Sequence, residues 1–256
     1  MTKPPILFVH GMWGSPKIWE NFQPVFENAG YETHAITLRH HTTPITEPAP
    51  EGLGTTSLLD YVDDVLAKVR TLDTAPILVG HSMGGLLAQL VAARTDIAAV
   101  IALTPAPPAG VLALKPTTLK TFRKILLGGK FWKNPTRLDW DAARYGLYHN
   151  LPEDEARHHY KDMVWESGRA TYEIAFWTMD KTKASKLDRA NIKCPVLMIS
   201  GGKDRTVNAS VVKASAKRYK GKAQYVNLPE HSHWLIGEQG WENVADRCLD
   251  FISASI

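Results

Sequence analysis

One stretch, Ile77-Leu78-Val79-Gly80-His81-Ser82-Met83-Gly84-Gly85, constrains this chain more than any other. An aliphatic run of strand character ends at Val79, and Leu86, Leu87, Leu90 and Val91 then recur at helical spacing. Between the two stands Ser82, with a glycine two residues before it and another two after. A serine at so sharp a strand-to-helix turn takes strained backbone angles, and a Cβ at either glycine would obstruct the close approach of the backbones. The helix that opens at Ser82 directs free N–H groups and its positive dipole end toward whatever reacts there. G-x-S-x-G alone recurs by chance, but set between a strand and a helix it points to a nucleophile.

The flanking sequence alternates in the same way. Ile6 to Val9 is a short apolar run suited to a strand covered on both faces, and it leads into His10-Gly11-Met12-Trp13-Gly14-Ser15. Pro16 precedes a helical pattern with Trp19, Phe22, Phe26 and Ala29 on one face, closed by Gly30. Thr33 to Leu38 reads as a strand, and the proline- and glycine-rich residues 39–56 as loop. Ser57 caps a helix whose Leu58, Val62, Val65, Leu66 and Val69 keep the 3.6-residue period. Further strands are expected at Val100–Leu103, Pro195–Ser200 and Gln224–Leu228, with helices at Ser210–Tyr219 and from Trp241 to Ile252. Strands alternating with helices predict a six-stranded, mainly parallel α/β sheet with right-handed crossovers. From Thr104 to Asp188 the alternation stops, and helical patches rich in tryptophan, tyrosine, lysine and arginine follow without an obvious strand.

Composition narrows the function classes. With 256 residues, 44% of them hydrophobic, the chain can bury one large α/β core. The net charge of +4 is spread without a dense basic run, which points away from nucleic acid. No apolar run approaches the roughly 18 residues of a membrane span, so no integral membrane contact is expected. The start of the chain lacks a signal-peptide pattern, and Cys194 and Cys248 form neither a C-x-x-C motif nor a disulfide framework. A cytoplasmic monomer or homodimer is the expectation. H-E-x-x-H and the glycine-rich dinucleotide and phosphate loops are missing, and the adjacent pairs His40-His41 and His158-His159 lack the i, i+4 spacing of a zinc helix. Neither a metal nor a cofactor is expected.

Gly80-His81-Ser82-Met83-Gly84, Ser200-Gly201-Gly202-Lys203-Asp204 and Pro229-Glu230-His231-Ser232-His233-Trp234 together resemble the α/β-hydrolase fold family over nearly the whole chain. Family members usually carry two further strands ahead of the His-Gly loop, so the resemblance implies a compact six-stranded version. Residues 1–104 and 189–256 would form its core, and 105–188 fall where many members insert a helical cap. A serine hydroxyl is a poor nucleophile at neutral pH; it needs a base, and the base needs an orienting acid. The family order of serine, acid and histidine implies Ser82, Asp204 and His233. Of the two histidines, His233 has the following aromatic residue and the later Glu238 that members commonly show, and His231 is expected to serve the loop. The resemblance also implies oxyanion donors in the backbone N–H groups of Met83 and Met12, and a substrate pocket touching Trp13, His81 and Trp234. His10 is expected to bond within its own loop.

Serine rather than aspartate at the elbow implies an acyl-enzyme. The expected activity is that of a serine esterase on small carboxylic esters, with hydrophobic short-to-medium acyl or aryl groups. Lactonase, amidase, C–C bond hydrolase and perhydrolase chemistry use the same three residues, and a non-catalytic ligand receptor is the alternative of another class. In the 105–188 segment, Leu119, Phe122, Ile125 and Leu126 are interleaved with Lys115, Lys120, Arg123 and Lys124. That pattern suits either a cap helix over the pocket or a basic surface on anionic lipid, and the cap is expected.

Overall fold

A computed structural model describes residues 3–256. In chain order its first half contains β1 (Ile6–Val9), α1 (Phe22–Asn28), β2 (Thr33–Ile36), α2 (Leu58–Val69), β3 (Ile77–His81), α3 (Met83–Ala92) and β4 (Ala99–Leu103). The segment without predicted strands holds α4 (Pro116–Leu127), β5 (Pro135–Thr136), α5 (Trp140–Gly146), α6 (Glu153–Lys161), β6 (Glu166–Ser167) and α7 (Gly168–Ala175). The chain closes with β7 (Val196–Gly201), α8 (Ala209–Lys217), β8 (Ala223–Leu228) and α9 (Trp241–Ser255).

Six strands pair in the order β2-β1-β3-β4-β7-β8, each pairing parallel. β1, β3, β4 and β7 are buried along their whole length, and the edge strands β2 and β8 are partly exposed, as expected when helices cover both faces. Alternation along β1 divides the core in two. Leu7 and Val9 join α2, α3 and α8 on one face, while Ile6 and Phe8 join α1 and α9 on the other. From β1 the chain steps outward to β2, then returns past β1 to begin β3. The reversal opens a crevice at the carboxyl ends of β1 and β3, where ligands bind in sheets of this type.

Two departures from the sequence pattern have local causes. The helix expected from Pro16 splits into a 3-10 turn at Pro16–Trp19 and α1 from Phe22. Pro24 has no N–H to offer Glu20, and its ring would collide with that carbonyl in an unbroken helix. The antiparallel pair β5–β6, with Thr136 opposite Glu166, is only two residues long per strand and so leaves no alternation to read. Ser57 caps α2 as expected, accepting from the Leu59 N–H at 3.2 Å while Asp60 accepts from the Ser57 N–H at 2.7 Å. Cys194 and Cys248 are both free thiols. Among the described residues no helix is long and apolar enough to cross a membrane.

Buried carboxylates tie the 105–188 segment to the sheet's own helices. Glu173 of α7 reaches the N-terminus of α2, where it accepts from the Leu58 N–H at 2.7 Å and from the Ser57 hydroxyl at 2.9 Å. Arg169 donates to the same carboxylate at 2.6 Å. Glu166 of β6 accepts from the Tyr61 hydroxyl at 2.7 Å and from His41 Nε2 at 3.1 Å. Burial opposes a charge on His41, but the Glu166 carboxylate outweighs it and raises the pKa of the ring. Both ring nitrogens then donate, Nδ1 to the Arg39 carbonyl and Nε2 to Glu166. At the neck of the segment the Ala109 N–H donates to the Ser185 carbonyl at 2.9 Å.

One very close backbone approach lies under α3. A Cβ on Gly84 would sit 2.1 Å from the Val9 carbonyl oxygen, whereas one on Gly129 would meet nothing within 4 Å. Gly84→Ala is therefore expected to lower unfolding free energy by about 2–4 kcal/mol or prevent folding, and Gly129→Ala to change it by less than about 0.5 kcal/mol. Urea unfolding of the two variants checks this, and equal effects would refute the packing argument.

Candidate active site

Ser82 forms the cap of α3 at φ 54 and ψ −118, a left-handed conformation that a side chain adopts only when its surroundings impose it. Those surroundings are explicit. The Ser82 N–H donates to the Leu103 carbonyl at 2.9 Å, and the Ser82 carbonyl accepts from Gly85, Leu86 and Ala106 at 3.0, 3.3 and 2.9 Å. Gly80 allows the turn to close, since a Cβ there would lie 2.2 Å from the Gly84 carbonyl oxygen.

The other members of the expected set arrive from the carboxyl ends of β7 and β8. His233 places Nε2 3.0 Å from Ser82 Oγ and Nδ1 2.8 Å from Asp204 Oδ2. Asp204 Oδ1 accepts from the N–H groups of Thr206 and Val207 at 2.7 and 2.8 Å. One carboxylate oxygen thus holds its own turn while the other orients the imidazole. Asp204 and His233 are both buried. With Nδ1–H given to Asp204, Nε2 presents its lone pair to the serine hydroxyl.

His231 takes a different partner. Its Nδ1 donates to Glu238 at 3.0 Å, and Glu238 also accepts from the Ser232 N–H at 2.6 Å, the Ser232 hydroxyl at 2.5 Å and Asn150 at 3.1 Å. Burial opposes ionisation of Glu238, yet these donors hold its pKa below the ordinary value. Glu238 therefore ties down the loop that carries His233. In the sequence it stood out only as the acid following that histidine.

Two further histidines brace the site from behind. His10 accepts from the Leu38 N–H at Nε2 (3.2 Å), so Nδ1–H donates to the Gly11 carbonyl at 2.9 Å. This pins the His-Gly loop to the chain just beyond β2. Burial, with His41 close by, pushes the His10 pKa down to about 3. His81 directs Nε2–H to the His233 carbonyl at 2.8 Å, and burial, with His233 adjacent, likewise pushes it down to about 3. His81 lines the cavity as expected, but its Nε2 is committed to positioning the neighbouring histidine.

Gly11 packs against Ser82 so closely that a Cβ on it would lie 2.9 Å from the serine Cβ, which places Met12 beside the hydroxyl. Among the described residues, the N–H groups of Met12 and Met83 donate to no backbone carbonyl. Trp13, at φ 57, is held by its carbonyl, which accepts from the Val164 N–H at 3.0 Å, and by its indole N–H on Thr136 at 3.3 Å. Two cavities meet at Ser82, sharing Met12, Phe122 and Thr206. Trp13 and Trp234 line the first. Phe122, Tyr148, Ile174 and other wall residues come from the 105–188 segment; the spacing that suggested a cap helix included Phe122, and Ile174 carried no such signal.

A family model described as the alpha/beta hydrolase family matches residues 6–247. The chain belongs to that family. Solved structures similar to this alpha/beta hydrolase include a methylesterase from Arabidopsis, 17% identical with a TM-score of 0.74, the match covering 98% of this chain and 99% of that one. A monoacylglycerol lipase from Paleococcus ferrophilus is 20% identical with a TM-score of 0.73, covering 98% and 96%. A pyrethroid hydrolase from Sphingobium faniae is 20% identical with a TM-score of 0.70, covering 98% of each chain. These likenesses establish the shared fold.

The buried neutral histidines make stability depend on pH with a definite sign. Between about pH 3 and the ordinary histidine value of 6.5, the unfolded chain binds protons at His10 and His81 that the folded chain refuses. Stability therefore rises with pH through that window and falls as pH drops. His10→Asn should reduce the slope of unfolding free energy against pH by about one proton. Urea titrations at several pH values between about 4 and 6 measure it, and an unchanged slope would count against a neutral His10.

Proposed function

We propose that this chain is a serine hydrolase that cleaves carboxylic esters through an acyl-enzyme. The observation that carries the reading is the chain of contacts from Asp204 through His233 to Ser82, at 2.8 and 3.0 Å, opening onto largely apolar cavities. In this reading His233 takes the Ser82 proton as Oγ attacks the ester carbonyl. Asp204 keeps the imidazole in the required tautomer and stabilises its protonated form. The N–H groups of Met12 and Met83 receive the developing oxyanion, reinforced by the N-terminal dipole of α3. The bond between acyl carbon and alcohol oxygen breaks, and His233 protonates the departing alcohol. Water then enters, gives its proton to His233 and releases the acid. The structural neighbours include a methylesterase and a monoacylglycerol lipase, which agrees with ester hydrolysis.

The 105–188 segment acts as a cap. Thr118, Thr121 and Ile125 of α4 are buried, and Leu119, Phe122 and Leu126 of the same helix line the cavity at Ser82. Lys120, Arg123 and Lys124 are exposed on the outer side. An apolar pocket under such a cap suits hydrophobic short-to-medium acyl or aryl esters taken from solution.

On a p-nitrophenyl ester, Ser82→Ala and His233→Ala should each lower kcat by roughly 10³-fold or more, while His231→Ala keeps most of the activity. An inactive His231→Ala beside an active His233→Ala would reverse the assignment. With a sparingly soluble ester, the rate should saturate below the solubility limit. A sharp rise on crossing that limit, with binding to anionic vesicles, would favour a lipid-surface enzyme instead.

A further inference from the structure

Given the acyl-enzyme reading, the two cavities at Ser82 have distinct duties. The proton for the departing alcohol comes from His233 Nε2, so the alcohol must lie on the side that His233 lines. His233 borders the first cavity and not the second. The acyl group stays bonded to Ser82 and must extend the other way, into the second cavity, which Met12 also borders.

The chemistry of the walls differs accordingly. In the second cavity the polar side chains other than Ser82 are Thr118, Thr171 and Thr206. Each hydroxyl is already spent. Thr118 donates to the Thr206 carbonyl at 2.9 Å, Thr171 to the Ser167 carbonyl at 2.9 Å and Thr206 to the Gly146 carbonyl at 3.0 Å. What remains for a ligand is apolar: Ala113, Leu114, Leu119, Leu126 and Ile174, with the Phe122 ring and Met12 shared with the first cavity. No side-chain donor but Ser82 itself is left for a hydrogen-bond acceptor on the acid, and burying such an acceptor unpaired is unfavourable.

The first cavity carries more aromatic rings, and with them the polar side chains of Ser15, Lys17, His159 and Asp162. Trp13 and Phe122 lie 5.5 Å apart between centroids, and Tyr148 meets the edge of Trp234 at 5.0 Å. Tyr148 is 2% exposed, yet its hydroxyl donates to no group among the described residues. Burial, with Asp162 nearby, raises its pKa, so the hydroxyl keeps its proton. The oxygen itself is not sealed inside the protein, as the unpartnered indole nitrogen of Trp234 on the same wall is, so it is open to what enters the cavity.

We propose that the enzyme is selective for esters of simple apolar acids with aromatic alcohols, and that Tyr148 donates to a hydrogen-bond acceptor on the aromatic ring distal to the ester oxygen. Tyr148 is a specificity residue of the alcohol side. Ala113 and Ala175 bound the acyl side.

Kinetics separate the two sides, because deacylation begins after the alcohol has left. The probes are phenyl and 4-acetylphenyl esters of acetic and hexanoic acid. Tyr148→Phe should lower kcat/KM for 4-acetylphenyl esters relative to phenyl esters by roughly five- to tenfold, leaving acyl-length preference and the deacylation rate unchanged. Ala113→Phe, or Ala175→Leu should the first fail to fold, should lower kcat/KM for hexanoates relative to acetates by about tenfold with either alcohol. The same variants should slow deacylation of the hexanoyl-enzyme. The inference is overturned if Tyr148→Phe alters acyl preference, if the alanine variants alter only alcohol preference, or if neither shifts selectivity in a protein that turns the esters over. Failure of the acyl-enzyme reading itself looks different: neither turnover of any ester nor labelling of Ser82 by a fluorophosphonate, in which case this inference falls with it.

Discussion

Everything at this site depends on how closely α3 can approach the ends of β1 and β3. Gly80 and Gly84 leave room for carbonyl oxygens that a Cβ would strike at 2.2 and 2.1 Å. Only with that room can Ser82 be held at φ 54, its N–H on β4 and its carbonyl shared among three donors. The strain is local, and the hydrogen bonds around it outnumber the ways it could relax. Because β1 and β3 are neighbours across the reversal in strand order, the same approach brings the His-Gly loop against the serine. One steric condition thus sets the hydroxyl, the first turn of the helix and the loop carrying Met12 in register.

Positioning continues outward through buried polar groups rather than more packing. Asp204 and Glu238 each divide their acceptor capacity between a backbone turn and a histidine. His10 and His81, held neutral by burial, use ring nitrogens to clamp backbone atoms. Each of these groups would be unfavourable where it is if any one partner were removed, so the loops around Ser82 are fixed by the combined demand for satisfied polar atoms.

The strands of the sheet and the candidates Ser82, Asp204 and His233, which the fold brings together, were legible because their signals are local. Ser82 and Asp204 each follow a strand and a glycine, His233 follows the last strand, and the four central strands are buried throughout because helices cover both faces. What the sequence hid is tertiary. Glu173 contacts Ser57 across 116 positions, and Glu166 meets His41 across 125, so no window of residues contains either pair. The break between Trp19 and Phe22 was readable in principle from Pro24, but the aromatic spacing continued across it. Tyr148 stood out in the sequence only as one of several aromatic residues of the segment, since its position on the cavity wall follows from how the chain after α5 packs on Trp234 in the loop after β8.

The neck at Ala109 and Ser185 gives the segment between β4 and β7 a particular standing as a unit of exchange. Its entry and exit are joined by one backbone hydrogen bond, so to the sheet it is a closed loop whose length is of little thermodynamic consequence. A foreign segment spliced at this neck could replace the part of the pocket wall that the segment supplies without touching the six-stranded sheet. Such a chimera would still lose Glu173 from the mouth of α2, leaving the N–H of Leu58 without its acceptor. The transplant that keeps the host sheet intact is therefore one that brings its own acid to that helix end.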